Sequence, residues 1–322
     1  MENIKIEDEL NIKLPILASK EYLSIKSDSY GWLVDENFIL PYFLDKNLIF
    51  TRMVFTYSLI PKKENLTPDD EKIFLDKMVD FVKEEKLCDF IYKAQSNVIF
   101  NAYPKDSDVV EWGSYVVDIT KEPDEIKKAF HRNHKGGINK AIRESIEVTQ
   151  TKDAKEVYES IKETLLRQKS IHYPSLEYIE SLKDKLGDNV CFWVAKKDGV
   201  VHGSLITIID NEWSYNMYAG SSPRPIKGST ILMQYYAMLE MKKRGVKYFD
   251  FVGARVNVQK GSKFESLQVY KQRFGAKLIK GYAFRTVINP AKFILFNLVA
   301  KSYLKLKGYR YEDPIDNIKK AI

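Results

Sequence analysis

Between Val190 and Ala219 the chain carries three apolar segments separated by two tight turns, and no other stretch restricts its fold as strongly. Val190 to Ala195 is a continuous apolar run. Lys197-Asp198-Gly199 supplies the Asp-Gly signal of a hairpin. Val200 to Ile209 is the return strand, Asp210-Asn211 turns again, and Trp213 to Ala219 closes the set. Strands joined by turns this short run antiparallel, so the segment predicts a three-stranded meander. A helix is predicted over Ser229 to Arg244 and a further strand over Lys247 to Val252. Sheet and helices must then pack as layers around a core.

A fainter copy of this ending lies upstream. Residues 72–91 read as a long amphipathic helix, a basic turn and the apolar strand Lys86-Leu87-Cys88-Asp89-Phe90-Ile91. Residues 232–252 read the same way, ending in Tyr248-Phe249-Asp250-Phe251-Val252. Both strands carry an Asp. Any helix–strand unit can look like this, and the echo also fits two lobes of one fold.

The 322 residues suffice for about two domains at ~150 residues each. The remaining elements follow from local pattern. Phe38 to Phe43, Leu48 to Phe50, Met53 to Tyr57 and Leu87 to Tyr92 read as strands. Thr67 caps a helix with Pro68 in its first turn, running to about Lys86. Ser114 to Ile119 is another strand. Glu122 to Glu144 has a helical pattern that Gly136-Gly137 splits. Helices follow at Ala154 to Gln168 and Leu176 to Leu186, and a basic amphipathic helix at Pro290 to Lys307.

Lys and Arg outnumber Asp and Glu by 51 to 44, a net charge of +7. A surplus of this sign suits a phosphate-bearing substrate, a nucleic acid or an acidic membrane surface, and equally a set of solvated lysine-rich faces. Cys88 and Cys191 sit in apolar runs, which predicts buried free thiols rather than a disulfide. The acidic N-terminus has no apolar signal core, and no run of 18 apolar residues occurs, so a cytoplasmic protein is expected. His131 and His134 have metal-compatible spacing, but Arg132 and Lys135 beside them repel a cation, and a basic anion-binding face is the better reading. His172 and His202 have no nucleophile motif nearby. No metal and no permanently bound cofactor are expected.

The chemistry concentrates between Gly228 and Gly275. Tyr215 and Tyr218 lie on a strand that empties into a loop with Arg224, Lys227 and Gly228, after which a helix begins. Backbone N–H groups at a helix N-terminus attract anions, and Arg224 and Lys227 add charge. The spacing matches neither Gly-x-Gly-x-x-Gly nor a Walker loop, so an ordinary strand–helix connection stays open. On the strand 247–252, alternation puts Tyr248, Asp250 and Val252 on one face, opposite Phe249 and Phe251. Asp250 there suits binding or deprotonating an amine, or pairing with Arg255.

The order meander, basic loop, helix, strand resembles the second half of the N-acetyltransferase (GNAT) fold. Gly245 to Gly253, with its Tyr-Phe-Asp-Phe-Val-Gly ending, and Tyr270-Lys271-Gln272-Arg273-Phe274-Gly275 resemble the Fem-type aminoacyltransferases, which add amino acids to peptidoglycan precursors. Ser114 to Val148 is similar to the middle segment of that family. The likeness covers residues 110 to 285 well and the first hundred weakly. It lacks a long charged helical hairpin, which marks a short form. It implies an α/β (α+β) fold of two GNAT-like lobes, each a mixed, mostly antiparallel sheet flanked by helices. The lobes are expected at 1–120 and 121–289. The segment 290–322 is expected as a basic helix and tail that packs on the second lobe, joins the first, or lies at a membrane surface.

The same likeness implies Lys271 as the active-site cation, stabilising an oxyanion or the leaving carrier oxygen, with Asp250 beside it. Tyr215, Tyr218, Arg224, Lys227, Gly228, Arg255 and Tyr270 become the substrate-binding set. Arg132, His134, Lys140 and Arg143 become the contacts for tRNA phosphates. The activity expected is N-acyl transfer from an aminoacyl-tRNA to an amine of a phosphate-bearing cell-envelope precursor, by a monomer with peripheral contact to the membrane surface. Two alternatives stand beside it: acyl transfer from acyl-CoA to an amino-sugar nucleotide, and a non-enzymatic module binding nucleic acid or membrane.

Overall fold

The computed structural model describes residues 1–170 and 173–320; His172 lies outside the described residues. The chain begins with β1 (Glu2–Ile4), α1 (Lys20–Lys26), β2 (Tyr30–Val34), β3 (Phe38–Lys46), β4 (Thr51–Phe55) and β5 (Ile60–Pro61). There follow α2 (Pro68–Glu84), β6 (Phe90–Ile91), β7 (Asp108–Asp118), α3 (Pro123–Ala129), α4 (Arg132–Arg143) and β8 (Glu147–Thr151). Next come α5 (Ala154–Arg167), α6 (Leu176–Leu186), β9 (Val190–Lys197), β10 (Val200–Asp210), β11 (Trp213–Ser221) and α7 (Ser229–Lys243). The last elements are β12 (Tyr248–Asp250), β13 (Ala254–Arg255), α8 (Lys263–Gln272), β14 (Lys277–Val287), α9 (Pro290–Leu306) and α10 (Pro314–Lys319).

Two compact units result, and neither is continuous in sequence. The first holds 1–114, 253–264 and 280–322; the second holds 115–252 and 265–279. The boundaries read from sequence, 1–120, 121–289 and 290–322, therefore differ in three places, the first being residues 115–120, which belong to the second unit. Residues 253–264 and 280–289 join the first unit, as does the C-terminal helix.

In the first unit β1, β2, β3 and β4 pair antiparallel in sequence order. β6 then pairs parallel with β4, and β14 antiparallel with β6. The connection that makes β4 and β6 parallel is α2. Its face of Phe74, Leu75, Met78, Val79 and Val82 packs on sheet residues Leu40, Tyr42, Phe55 and Phe284. Thr67 and Asp70 form a reciprocal capping box at its start, with Pro68 in the first turn, as the sequence predicts. A second core, built on Trp32, Leu23 and Ile39, covers the opposite side. α9 belongs here too: Phe296 meets the rings of Phe50 at 4.8 Å and Phe90 at 5.1 Å.

In the second unit β8, β9, β10 and β11 pair antiparallel. After α7, β12 pairs parallel with β11, and the end of β7 pairs antiparallel with β12. The two units thus share one order: antiparallel strands, a helix, a parallel strand, then an antiparallel strand. The GNAT-like order expected at 190–252 is present, and the echo at 72–91 is a structural repeat.

Three local readings are corrected. Leu48–Phe50 is not a strand; Asn47 Oδ1 accepts the N–H groups of Ile49 and Phe50 and closes a turn between β3 and β4. The strand at Leu87–Tyr92 is only Phe90–Ile91. Gly136-Gly137 lies inside α4, and the break comes earlier, at Phe130-His131. Gly137 is a contact residue, with a Cβ placed on it coming 3.4 Å from the Cα of Gly228. Both cysteines are buried and free, and burial pushes the Cys88 thiol up to about 12. Among the described residues no helix is long and apolar enough to cross a membrane.

Candidate active site

β12 ends at Asp250, and the chain must leave the sheet two residues later. It does so through a backbone conformation that side chains avoid: Val252 has φ +34°, followed by Gly253 at +64°. For a β-branched residue this is strained, at a cost of roughly 1–3 kcal/mol, and it persists only where neighbours hold it. Two neighbours do. Asp250 Oδ1 accepts the Val252 N–H at 2.7 Å, and Lys271 Nζ donates to the Val252 carbonyl at 2.6 Å. A carboxylate and an ammonium thus hold one residue through the peptide groups on its two sides.

Lys271 reaches this point because α8 presents it. Gln268, Lys271 and Gln272 fall at i, i+3 and i+4 and share a face. Gln272 Nε2 donates to the Tyr115 hydroxyl at 2.8 Å, and that hydroxyl donates to Gln268 Oε1 at 3.3 Å. Tyr115 is buried on the strand next to β12 and its carbonyl accepts the Phe251 N–H. The polar face of α8 is thereby pinned to β7 and β12. Lys271 keeps part of its surface in solvent, while burial of its ammonium pushes the pKa down to about 8; the charge of Asp250 opposes that shift.

The loop before α7 is the second component. Gly228 has φ +94°, and a Cβ there would sit 1.9 Å from the Gly137 carbonyl oxygen, so only glycine fits. α7 has no side-chain cap and no acidic residue in its first turn. It follows a loop that exposes Arg224 and Lys227, and the N–H of Ser229 donates to the Ile226 carbonyl at 3.1 Å. The Ile226 N–H donates to His202 Nδ1 at 3.3 Å, which ties the loop to β10. Ser229, the first helical residue, is buried with its hydroxyl unpartnered. Geometry and charge together favour an anion here.

The other candidate residues divide. Tyr215 is buried and is the register partner of Asp250 on the parallel neighbour strand, so it stands beside the site. Tyr218 instead meets Tyr178 edge-on at 6.2 Å. Tyr270 is a packing residue: its ring lies against His134 and Phe274, its hydroxyl bonds Thr230, and burial pushes its pKa up to about 12. Arg255 falls in the first unit, its guanidinium on the Asn317 carbonyl and Oδ1 and over the Phe264 ring.

The set proposed for tRNA needs one correction. His134 is buried on the inner face of α4, with Nε2 at 3.0 Å from the Tyr270 carbonyl. Desolvation pushes it down to about 4, so at neutral pH it is an uncharged packing residue and not an anion ligand. Its Nε2 donates to that carbonyl. His131 does separate work as the α4 cap, Nδ1 accepting the Asn133 N–H at 3.2 Å. Arg132 and Arg143 are exposed and Lys140 half-exposed on the outer side of α4.

Val252, Tyr115, Gln268 and Gln272 were not singled out from sequence. The i, i+3, i+4 run of polar residues at 268–272 was the available signal for the glutamines. The conformation of Val252 leaves no sequence trace beyond the glycine after it.

No protein-family model and no curated protein matches the sequence. Solved structures do match. FemX superposes with a TM-score of 0.64 at 14% identity, covering 92% of this chain and 99% of that one. The C-terminal domain of a putative lysylphosphatidylglycerol synthetase from Agrobacterium fabrum matches with a TM-score of 0.51 at 13% identity, over 86% of this chain and 93% of that one. L-PGS from Bacillus licheniformis matches with the same TM-score and identity, over 85% and 90%. At these identities the likeness establishes the fold, which is that of FemX and of the synthetase domains.

Proposed function

We propose that the chain is an acyltransferase that forms an amide on an amine, with its reaction centre at Lys271 and Asp250. The observation that carries this reading is the strained Val252 peptide held between Asp250 and the partly desolvated Lys271. Strain and a displaced pKa at one place are features of reaction centres.

The amine must attack as the free base, so it loses a proton as the C–N bond forms. The carbonyl oxygen becomes an oxyanion, and the C–O bond to the carrier then breaks, the carrier oxygen taking up a proton. Lys271 is still largely protonated at neutral pH at a pKa of about 8, and its ammonium is placed to stabilise the oxyanion or protonate the leaving oxygen. Asp250 supports that charge and offers the carboxylate for the incoming amine. Arg224, Lys227 and the uncapped start of α7 receive the phosphates of the donor.

For the donor, we favour an aminoacyl-tRNA, and for the acceptor a phosphate-bearing envelope precursor. The sequence likeness to the Fem-type enzymes and the fold shared with FemX support this choice. The exposed Arg132, Lys140 and Arg143 supply phosphate contacts that weaken steeply with salt. The test is transfer of a radiolabelled amino acid from a charged tRNA pool to an envelope-precursor fraction. Ribonuclease pretreatment abolishes transfer on this reading; undiminished transfer from an acyl-CoA after ribonuclease would replace the donor.

A further inference from the structure

The outward side of α9, in the first unit, is built the wrong way round for a water-facing helix. Phe296 and Leu304 point inward and are buried. The opposite side carries Ile294 at 60% exposure, Leu295 at 43%, Leu298 at 57%, Val299 at 43% and Leu306 at 89%. Spacings of four and seven put these on one continuous stripe about four turns long. A surface helix normally turns charge outward, and a contiguous apolar patch of this kind marks a surface that another phase covers.

The charges decide which phase. Lys301 and Lys305 border the stripe and are exposed, with Arg310 on the same segment, while Lys292 is paired with Asp89. No Asp or Glu occurs from Pro290 to Tyr311. A groove of about 680 Å³ opens between α9 and the segment that follows, with Ile294, Leu298, Lys301 and Lys305 on its α9 side. Its acidic members are engaged: Asp313 and Asp316 with Arg285, and Glu312 with Lys320. The unneutralised charge around the stripe is therefore positive.

We propose that α9 docks the protein on an anionic lipid surface, its apolar stripe entering the headgroup boundary and its lysines meeting lipid phosphates. A stripe of large aliphatic residues bordered by lysines and free of acids has the composition of an interfacial helix. The helix is 17 residues long and lies along the surface rather than crossing it. The inference rests on the first unit alone and is independent of the acyl-transfer reading.

The test is co-sedimentation of the full chain with vesicles of equal parts phosphatidylglycerol and phosphatidylcholine, against vesicles of phosphatidylcholine alone. The protein is expected to pellet with the anionic vesicles and to be released by salt. Leu298→Asp with Leu306→Asp should reduce binding at least tenfold, and Lys301→Glu with Lys305→Glu should cost about fivefold per lysine. Both pairs lie on the exposed side, and circular dichroism checks that the fold is kept. Leu298→Trp provides a readout that perturbs nothing buried: its emission should shift to the blue on anionic vesicles. Protein that stays in the supernatant, or a tryptophan that does not shift, overturns the proposal. So does sedimentation velocity showing a dimer that Leu298→Asp with Leu306→Asp disperses, since a second copy would then be what covers the stripe.

Discussion

The two units repeat one design and differ in how each places an Asp, a cation and the start of a helix. Each places a helix between two parallel strands and an Asp beside the second of them. In the first unit that residue is Asp89, which accepts the Thr51 N–H at 2.7 Å and pairs with a surface lysine, Lys292, at 3.0 Å. A pair of that exposure contributes about 0–1 kcal/mol and holds strands together. In the second unit the residue is Asp250, and the cation near it is Lys271, drawn in from solvent onto a strained peptide. The helices differ in the same sense. α2 closes its own start with Thr67, Asp70 and a first turn rich in acid, while α7 starts on a bare glycine behind a basic loop. The first unit ties its Asp to a strand N–H and a surface lysine and closes its helix start with side chains; the second brings its Asp and Lys together on the Val252 backbone beside a helix start with no side-chain cap.

The contrast can be broken most forcefully at Lys271. Lys271→Met should lower turnover at least tenfold, and by ~10²-fold if the ammonium meets the oxyanion directly. The same change should stabilise the fold. The folded-state pKa of about 8 lies below the unfolded value of 10.5, so the buried cation destabilises the protein fully below pH 8 and ceases to do so above pH 10.5. Thermal denaturation at pH 7 should show Lys271→Met more stable by about 1–3 kcal/mol, the lost bond to Val252 offsetting part of the gain. A variant that is less active and also less stable points to a structural lysine.

Gly228→Ala comes next. It forces a side chain into a left-handed conformation against the Gly137 carbonyl, and should cost about 2–4 kcal/mol in urea denaturation. Lys227→Glu gives the α7 entrance the sign of the α2 entrance. Donor affinity should fall about fivefold to tenfold at low salt, with little change at high salt, because an exposed charge is screened. The smallest effect belongs to the closed helix: Thr67→Ala should lower stability by about 1 kcal/mol and leave donor affinity unchanged.

Much of this contrast was legible in the sequence. The 190–219 meander, α7 and a strand carrying Asp250 followed from alternation and turn chemistry, though that strand was read over 247–252 and spans only Tyr248–Asp250, and Thr67-Pro68 announced the α2 cap. Lys271 was legible through its motif alone. α8 itself was not, because none of its residues is buried and the face that meets β7 and β12, Gln268, Lys271 and Gln272, is polar and has no apolar period to detect. The discontinuous units were hidden for a different reason. A strand's pattern says which face is buried but not which sheet it joins, and β14 joins the first. His134 misled because charge-rich neighbours mark a helix as exposed, whereas position on the inner face of α4 decides protonation.

The chemistry proposed for the second unit depends on the state of one ammonium group, that of Lys271. Its most direct test is an NMR titration of the lysine side chains, with the Lys271 signal assigned by its disappearance in Lys271→Met. The predicted midpoint is about 8, moving lower in Asp250→Asn as the opposing charge is lost. A midpoint near the ordinary 10.5, unchanged in Asp250→Asn, would contradict the claim that the second unit holds a desolvated lysine poised for chemistry.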